Sequence, residues 1–110
     1  MGNFHESSEN IQLEDGHILH AECGDGEGGT NESTLDLDYY IGNNNGSFEW
    51  GGENFSGSAS GIFLEINPDG YPILRASLNP IDGDPVDADV NLAERIGNNG
   101  GTLVYSSFPK

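Results

Sequence analysis

The chain has 110 residues, which is enough for one domain with a single modest core. It carries 19 acidic and 3 basic side chains and a formal net charge of −16, so we expect neither a nucleic-acid partner nor binding to an anionic membrane. No apolar run is long enough for membrane insertion or for a signal peptide, so we expect a protein that is cytoplasmic or exported by a non-classical route.

The first third of the chain has the pattern of a β-hairpin followed by a long polar loop. Ile11 and Leu13 alternate with polar neighbours, as on a half-buried strand. Asp15-Gly16 is a hairpin-turn signal that leads into a second strand at residues 18–23. The next eleven residues, 24–34, are rich in Gly and Asp and predict a loop.

A short segment and a second hairpin complete this unit. Residues 35–41 predict one helical turn, with Asp36 as its N-terminal cap. Residues 41–50, IGNNNGSFEW, predict a hairpin in which Asn45-Gly46 supplies the positive φ angles of a type I′ turn. Because a turn of this type needs two residues, Asn43 and Asn44 exceed its requirement, and we favour ligand contact for them.

The second half of the chain repeats the first. Residues 11–14 recur at 62–65, and the asparagine-rich hairpin recurs at 96–105 as IGNNGGTLVY. We therefore predict one domain over the whole chain, built from sequence repeats at residues 1–52 and 53–110. Each repeat should form about five short strands and is too small to bury its own apolar faces.

Several other side chains have structural interpretations. Asn91 corresponds to Asp36 and should cap the second helical turn. A domain this small needs its aromatic side chains for burial, so we expect four of them in the core: Phe4, Trp50, Phe55 and Tyr105. The three histidines are predicted to be solvated, with no zinc site: His5, His17 and His20. Cys23 is the only cysteine, so no intrachain disulfide can form.

These motifs resemble those of the cyanovirin-N homology lectins. The resemblance covers essentially the whole chain and rests on Gly2-x-Phe4, Gly28-Gly29, the triplets 35–37 and 90–92, the hairpins ending in Trp50 and Tyr105, and Asn54-Phe55. It implies an all-β cyanovirin-N fold, in which two tandem repeats form two pseudo-symmetric halves with exchanged β-hairpins and short 3-10 turns. Where the founding member of the family has two disulfides, this chain has Ser8 opposite Cys23 and Ala59 opposite Leu78.

The same resemblance implies two shallow sugar pockets and no catalytic residue, cofactor or metal. The second pocket, which we favour because Asn43 and Asn54 match the family outright, would consist of Gly42, Asn43, Asn44, Asn45, Glu53, Asn54, Ser58 and Asn79. The first pocket would consist of Asn3, Glu6, Ser7, Gly24, Asp25, Gly26, Glu27, Gly97, Asn98, Asn99 and Gly100. The implied partners are mannose-rich oligosaccharides or glycoproteins with terminal α1-2-linked mannose.

The residue types of these pockets suit a sugar. An amide side chain offers one acceptor oxygen and a two-donor nitrogen to vicinal hydroxyl groups, and ionised Glu6 and Glu53 can accept hydroxyl protons. A neutral glycan is not repelled by a charge of −16. We expect a monomer, although the glycine-rich linker at residues 51–53 would also permit a domain-swapped dimer.

Other classes of function stay open or are set aside on the residues. A protein-interaction module that has kept the fold and lost sugar binding is the main alternative, because Gly24, Gly26 and Gly100 replace polar residues of the family. A hydrolase is disfavoured, since no nucleophile, base and orienting group occur at a recognisable spacing. The acidic stretch 82–89 fails the EF-hand pattern, because the position of the invariant glycine is Asp87.

Overall fold

The protein is built almost entirely of short antiparallel strands. The computed structural model describes residues 3–106, so Gly2 of the first motif lies outside the described residues. The strands are β1 (Ser8–Glu14), β2 (Ile18–Gly24), β3 (Thr30–Asp36), β4 (Ile41–Asn44), β5 (Ser47–Trp50), β6 (Ala59–Ile66), β7 (Pro72–Leu78), β8 (Val86–Asn91), β9 (Ile96–Asn98) and β10 (Leu103–Tyr105). Four 3-10 turns occur at Phe4–Ser7, Leu37–Tyr39, Phe55–Ser58 and Leu92–Glu94. Between residues 3 and 106 no helix has the length and apolar character needed to cross a bilayer.

The strands form two three-stranded sheets and two hairpins. The sheets have the strand orders β1-β2-β3 and β6-β7-β8, and the hairpins are β4-β5 and β9-β10. The β4-β5 hairpin packs on β8 and on the turn Phe55–Ser58, whereas the β9-β10 hairpin packs on β3 and on the turn Phe4–Ser7. Each hairpin thus packs on the sheet of the other half, which confirms the exchanged arrangement. The molecule is elongated, with extents of 50 × 25 × 24 Å. The repeat boundary at residues 52 and 53 stays a prediction.

One core runs through both halves. The central strands β2 and β7 alternate strictly between buried and half-buried positions, which is the period-2 pattern of a sheet with one face inside. Phe4 and Phe55 have no exposed surface and lie in one cluster with Leu19 and Leu74. Burying each phenylalanine contributes about 1.5–3 kcal/mol. Because the cluster contains residues of both halves, neither half has a core of its own.

The prediction from the sequence was wrong for the third strand of each sheet. Residues 24–34 and their counterparts 79–89 were predicted as loops, but β3 begins at Thr30 and β8 at Val86. β3 consists largely of exposed polar residues, so no apolar alternation marks it. In β8, Val86, Ala88 and Val90 alternate with polar residues, which is a strand pattern inside the segment predicted as a loop. Both strands form because the backbone of β2 and of β7 needs a second hydrogen-bonding partner, which each third strand supplies along its length.

Local predictions at the turns are confirmed. Asn45 and Gly46 have φ angles of 54° and 93°, and Gly100 and Gly101 have 62° and 105°, as a type I′ turn requires. The side chain of Asp36 accepts a hydrogen bond from the Asp38 amide at 3.0 Å, and that of Asn91 accepts one from the Ala93 amide at 2.9 Å. Both residues therefore cap their 3-10 turns as expected. The strand register also places Ser8 opposite Cys23 and Ala59 opposite Leu78.

Two aromatic predictions need correction. Trp50 and Tyr105 are only half-buried, with their rings stacked 5.8 Å apart at the ends of their hairpins. The indole N–H of Trp50 donates to a Glu94 carboxylate oxygen at 3.3 Å. Each hairpin ends at the rim of the core, so one face of these rings packs against the protein and the polar edge stays near solvent.

Candidate functional site

The second pocket is organised by the side chain of Asn43. Its amide nitrogen donates to the Ser58 hydroxyl and to the Asn79 carbonyl, both at 2.8 Å. Its amide oxygen accepts a hydrogen bond from the Gly46 N–H at 2.8 Å, across the turn of its own hairpin. One side chain therefore joins the β4-β5 hairpin to the residue before β6 and the residue after β7, which lie at the same end of this antiparallel pair. Because both of its N–H groups are used inside the protein, Asn43 positions the pocket and has only acceptor capacity left for a ligand.

The hydrogen bonds of the Asn43 side chain to Ser58, Asn79 and Gly46 are called the Asn43 clamp below. The turn of the same hairpin places polar side chains beside this clamp. Asn44 and Asn45 are exposed, and the amide oxygen of Asn45 accepts a hydrogen bond from the Ile81 N–H at 2.9 Å. This bond fixes the loop after Asn79 against the hairpin. Asn44 is thus the residue of the triplet whose amide is most available to a ligand.

The other wall of the second pocket is the linker between the halves. Gly42 is buried against it, and a Cβ added to Gly42 would lie 2.9 Å from the Glu53 nitrogen. Gly42 therefore serves close backbone packing. Beyond this contact Glu53 and Asn54 are exposed, and Asn54 has the left-handed φ of 60°. The Asn54 N–H donates to the Asp38 carbonyl at 2.8 Å, which fixes the backbone that carries its side chain.

A histidine–carboxylate network supports this wall. Nδ1 of His17 lies 2.7 Å from an Asp36 carboxylate oxygen and 3.6 Å from one of Asp38. The Asp38 carboxylate in turn accepts hydrogen bonds from the N–H and the hydroxyl of Ser56, across the junction of the halves. The prediction that His17 is solvated is wrong: its side chain is 28% exposed and is bonded to Asp36. His5 and His20 are also half-buried.

Protonation of His17 should stabilise the fold. The hydrogen bond to Asp36 raises the pKa of His17 above its usual value, against a smaller opposing effect of burial, and the charges of Asp36, Asp38 and Asp15 act in the same direction as the bond. His17, Asp36 and Asp38 also bring three potential ligand atoms within 4.8 Å of one another. When His17 is protonated, the short contact between Nδ1 and the Asp36 oxygen is a charge-assisted hydrogen bond.

The stability of the protein should therefore fall as the pH rises through the His17 pKa. A pKa raised in the folded state gives a stabilisation that is complete below the unfolded value of about 6.5 and is lost above the folded value. Asp36→Asn keeps the capping oxygen, as Asn91 shows, but removes the charge. We expect thermal melting from pH 6 to pH 9 to show a steeper loss of Tm in the parent than in Asp36→Asn or His17→Gln. Equal slopes in all three proteins would disprove this role of His17.

The first pocket repeats the clamp with other residues. The amide nitrogen of Asn98 donates to the Ser7 hydroxyl at 2.9 Å and to the Gly24 carbonyl at 3.0 Å. Its amide oxygen accepts from the Gly101 N–H at 2.8 Å. Asn98, Ser7 and Gly24 thus correspond to Asn43, Ser58 and Asn79. The sequence singled out all six residues, but it could not show that the two asparagines hold the hairpins.

The loops beside the two pockets are held differently. In the first loop a carboxylate oxygen of Asp25 accepts hydrogen bonds from the N–H groups of Glu27 and Gly29, at 2.7 and 3.1 Å. These two bonds, that from Glu27 first, hold the pKa of Asp25 below its usual value. Gly100 of the β9-β10 hairpin corresponds to Asn45 of the β4-β5 hairpin and has no side chain that could reach this loop. The first loop is therefore closed on itself, whereas the second is attached to its hairpin.

The remaining residues predicted for the first pocket lie around its clamp. Asn3, Glu6, Asn99 and Gly100 are exposed, as are Gly26 and Glu27 in the loop, whereas Gly97 is buried like its counterpart Gly42. Asn3 has a φ of 62° and its N–H donates to the Ala93 carbonyl, matching Asn54 and Asp38 in the other half. The structure thus brings the predicted residues of each pocket together at one hairpin. Sequence reasoning missed the supporting Asp38 and His17, which no local motif marks.

Two clusters of amide, hydroxyl, carboxylate and backbone groups lie at the hairpins of an exchanged β-scaffold, which is the architecture that the resemblance to a hydrogen-bonding lectin implied. The model of the CVNH domain family matches residues 4–104, and the chain belongs to this cyanovirin-N homology family, whose members bind carbohydrates and are not enzymes. A cyanovirin-N homolog of Tuber borchii is 38% identical over 104 residues, which cover 94% of this chain and 98% of the relative.

Solved structures agree with this assignment. The solution structure of the Gibberella zeae family member is 73% identical and superposes with a TM-score of 0.92, covering 97% of this chain and 100% of the relative. Microvirin in complex with mannobiose is 28% identical and superposes with a TM-score of 0.84, covering 96% and 100%.

Proposed function

We propose that the protein binds the terminal α1-2-linked mannose of mannose-rich glycans, with the second pocket as its main site. The observation that carries this proposal is the Asn43 clamp, which fixes a hairpin to Ser58 and to the loop that begins at Asn79. The exposed groups of Asn44, Glu53 and Asn54 lie beside it. A relative with the same fold forms a complex with mannobiose. Preorganised polar groups lose little conformational entropy on binding, which suits a shallow and hydrated site.

The second pocket is favoured because more of it is fixed before a sugar arrives. The hydrogen bond from the Ile81 N–H to Asn45 attaches the loop of the second pocket to the β4-β5 hairpin. In the first pocket the corresponding residue is Gly100, which has no side chain to make this bond. Asn79 also brings a side chain to the rim where the first pocket has Gly24. We propose that the first pocket binds the same sugar more weakly and that glycoproteins carrying several branches engage both.

Removing one exposed amide at a time should show how much each pocket contributes to sugar binding. Asn44→Ala should lower the affinity for α1-2-linked mannobiose about tenfold, because hydroxyl bonds are lost while the clamp is untouched. Its counterpart Asn99→Ala is the matched control and should change the affinity by less than about twofold if the second pocket dominates. Isothermal titration calorimetry with each variant measures both effects. A larger effect of Asn99→Ala would reverse the order of the pockets, and absence of binding to any mannose oligosaccharide would favour the protein-interaction module.

We propose a monomer as the active form, with domain swapping through the linker as an alternative state. The linker is confined where Gly52 packs on Gly42: a Cβ on Gly52 would lie 2.8 Å from the Gly42 Cα. Gly51, with a φ of 88°, is the point at which the chain turns. A single monomeric species at every concentration in size-exclusion chromatography would rule out swapping.

A further inference from the structure

The outer face of the second sheet carries a cleft. It has a volume of about 240 Å³ and is lined by residues of all three strands, chiefly Gly61, Phe63, Arg75, Ser77, Asp87 and Asp89. Strand register places Phe63 opposite Arg75, Arg75 opposite Asp89, and Ser77 opposite Asp87. The cleft therefore consists of neighbouring side chains on one face of the sheet. Its volume lies below the roughly 300–1,000 Å³ of drug-sized pockets and suits a single ring.

An exposed aromatic ring forms one side of this cleft. Phe63 is 53% exposed, in a small domain whose other phenylalanines with described structure are buried or half-buried. It follows a bulge at which the register of β6 shifts, and Gly61 in that bulge has a φ of 60° with no atom within 4 Å of its Cβ position. Without a side chain at Gly61, one approach to the phenyl ring stays open.

The polar groups of the cleft are already oriented. Arg75 donates to an Asp89 carboxylate oxygen at 3.1 Å and to Glu65, and the Ser77 hydroxyl donates to Asp87 at 3.0 Å. These bonds hold donors and acceptors beside the ring. The face of an aromatic ring is electron-rich and attracts the polarised C–H groups on one face of a pyranose, while the sugar hydroxyls can bond to the surrounding side chains.

The corresponding positions of the first sheet lack this combination. Phe63, Arg75 and Asp89 are replaced there by Gln12, His20 and Thr34, which have the same register. Gln12 stands at the position of the phenyl ring, and the imidazole of His20 stands at the position of Arg75. Repeat symmetry therefore does not require Phe63 to be aromatic, and Gln12 shows that the scaffold accepts a polar residue at this point.

The cleft begins close to the second pocket. Ser77 lies on β7 and precedes Asn79, the residue after this strand, by two positions, a separation of about 7 Å along an extended chain. By the same measure Arg75 lies about 13 Å from Asn79. We infer that this cleft is an additional subsite, in which a further hexose of a linear mannose oligosaccharide stacks on Phe63 while the terminal sugar occupies the second pocket. This inference rests on the proposed function of that pocket. A second copy of the chain is a poorer occupant, because each copy has a charge of −16.

The test compares a short and a long sugar in the parent protein and in Phe63→Gln, the residue found at position 12. Amide and side-chain NMR titrations with α1-2-linked mannobiose and linear mannotetraose report binding at Asn43, at Asn54 and at the Arg75 Nε–H. We expect Phe63→Gln to weaken mannotetraose about threefold to tenfold and to leave mannobiose unchanged. In the parent, only mannotetraose should shift the Arg75 Nε–H.

Three results would overturn the inference. Normal shifts at Asn43 and Asn54, with equal mannotetraose affinity in both proteins, would refute the subsite and leave the second pocket intact. Absence of shifts at Asn43 and Asn54 with either sugar would refute the proposed function and the subsite with it. A concentration-dependent mass in analytical ultracentrifugation that Phe63→Gln abolishes would assign the cleft to self-association.

Discussion

Asn43→Asp is expected to destabilise the protein by about 2–4 kcal/mol, because it removes the two N–H donors and places a carboxylate against the Asn79 carbonyl and the Ser58 hydroxyl. The substitution keeps the shape of the side chain and the oxygen that accepts from Gly46. The affinity for mannobiose should fall by more than about tenfold, since only the Asn45–Ile81 bond then holds the hairpin against the loop after Asn79. Urea denaturation and calorimetry measure the two effects.

Two other substitutions provide the controls for Asn43→Asp. Asn44→Asp introduces the same charge on an exposed neighbour and should change the free energy of unfolding by less than about 0.5 kcal/mol. Asn98→Asp breaks the equivalent clamp in the first half and should destabilise the protein to a similar extent as Asn43→Asp. If Asn43→Asp were as stable as Asn44→Asp, the clamp would not hold the hairpin.

Gly42→Ala is expected to cost about 1–3 kcal/mol of stability and to disturb the linker wall of the second pocket. The added methyl group would lie 2.9 Å from the Glu53 nitrogen and 3.0 Å from the Gly52 Cα, which are backbone atoms that cannot rotate away. The linker must therefore move, and Glu53 and Asn54 must move with it. Chemical denaturation and a mannobiose titration of the variant measure the loss of stability and of affinity.

Gly57→Ala is the matched control for the added methyl group. Gly57 lies in the 3-10 turn Phe55–Ser58, and no atom lies within 4 Å of its Cβ position. We expect this variant to be as stable as the parent or slightly more so, because alanine restricts the unfolded chain. Equal stability of Gly42→Ala and Gly57→Ala would show that the linker does not pack on the hairpin as described.

The fold could be predicted where a local rule determines the structure. The positive φ angles at Asn45-Gly46 and the caps at Asp36 and Asn91 depend only on a few adjacent residues, and all of them are present. β3 could not be predicted, because it is a polar edge strand specified by the open edge of β2. β8 does carry an alternating pattern, Val86, Ala88 and Val90, which was assigned to the Gly- and Asp-rich loop that precedes it. The residues alone indicated that neither repeat can bury its own apolar face. The exchange of hairpins was expected only from the family resemblance.

The sequence and the family resemblance predicted which residues form the candidate site, but not which of them hold the hairpins and which stay exposed. An excess of asparagines marked the two hairpins, but Asn43 and Asn98 have their N–H groups bonded inside the protein, and this is visible only when Ser58 and Ser7 are brought opposite them. The same holds for His17, whose partner Asp36 is 19 residues away along the chain. Contacts between distant segments decide these roles, and a single sequence does not record them.

The most direct test of the sugar-binding account is an amide NMR titration of the labelled protein with α1-2-linked mannobiose. The account predicts shifts confined to residues 43–45 and to Glu53 and Asn54 at low sugar, followed by Asn98 and Asn99 as the weaker first pocket fills. A spectrum that stays unchanged up to about 10 mM sugar, a concentration that would detect even millimolar binding, would contradict it.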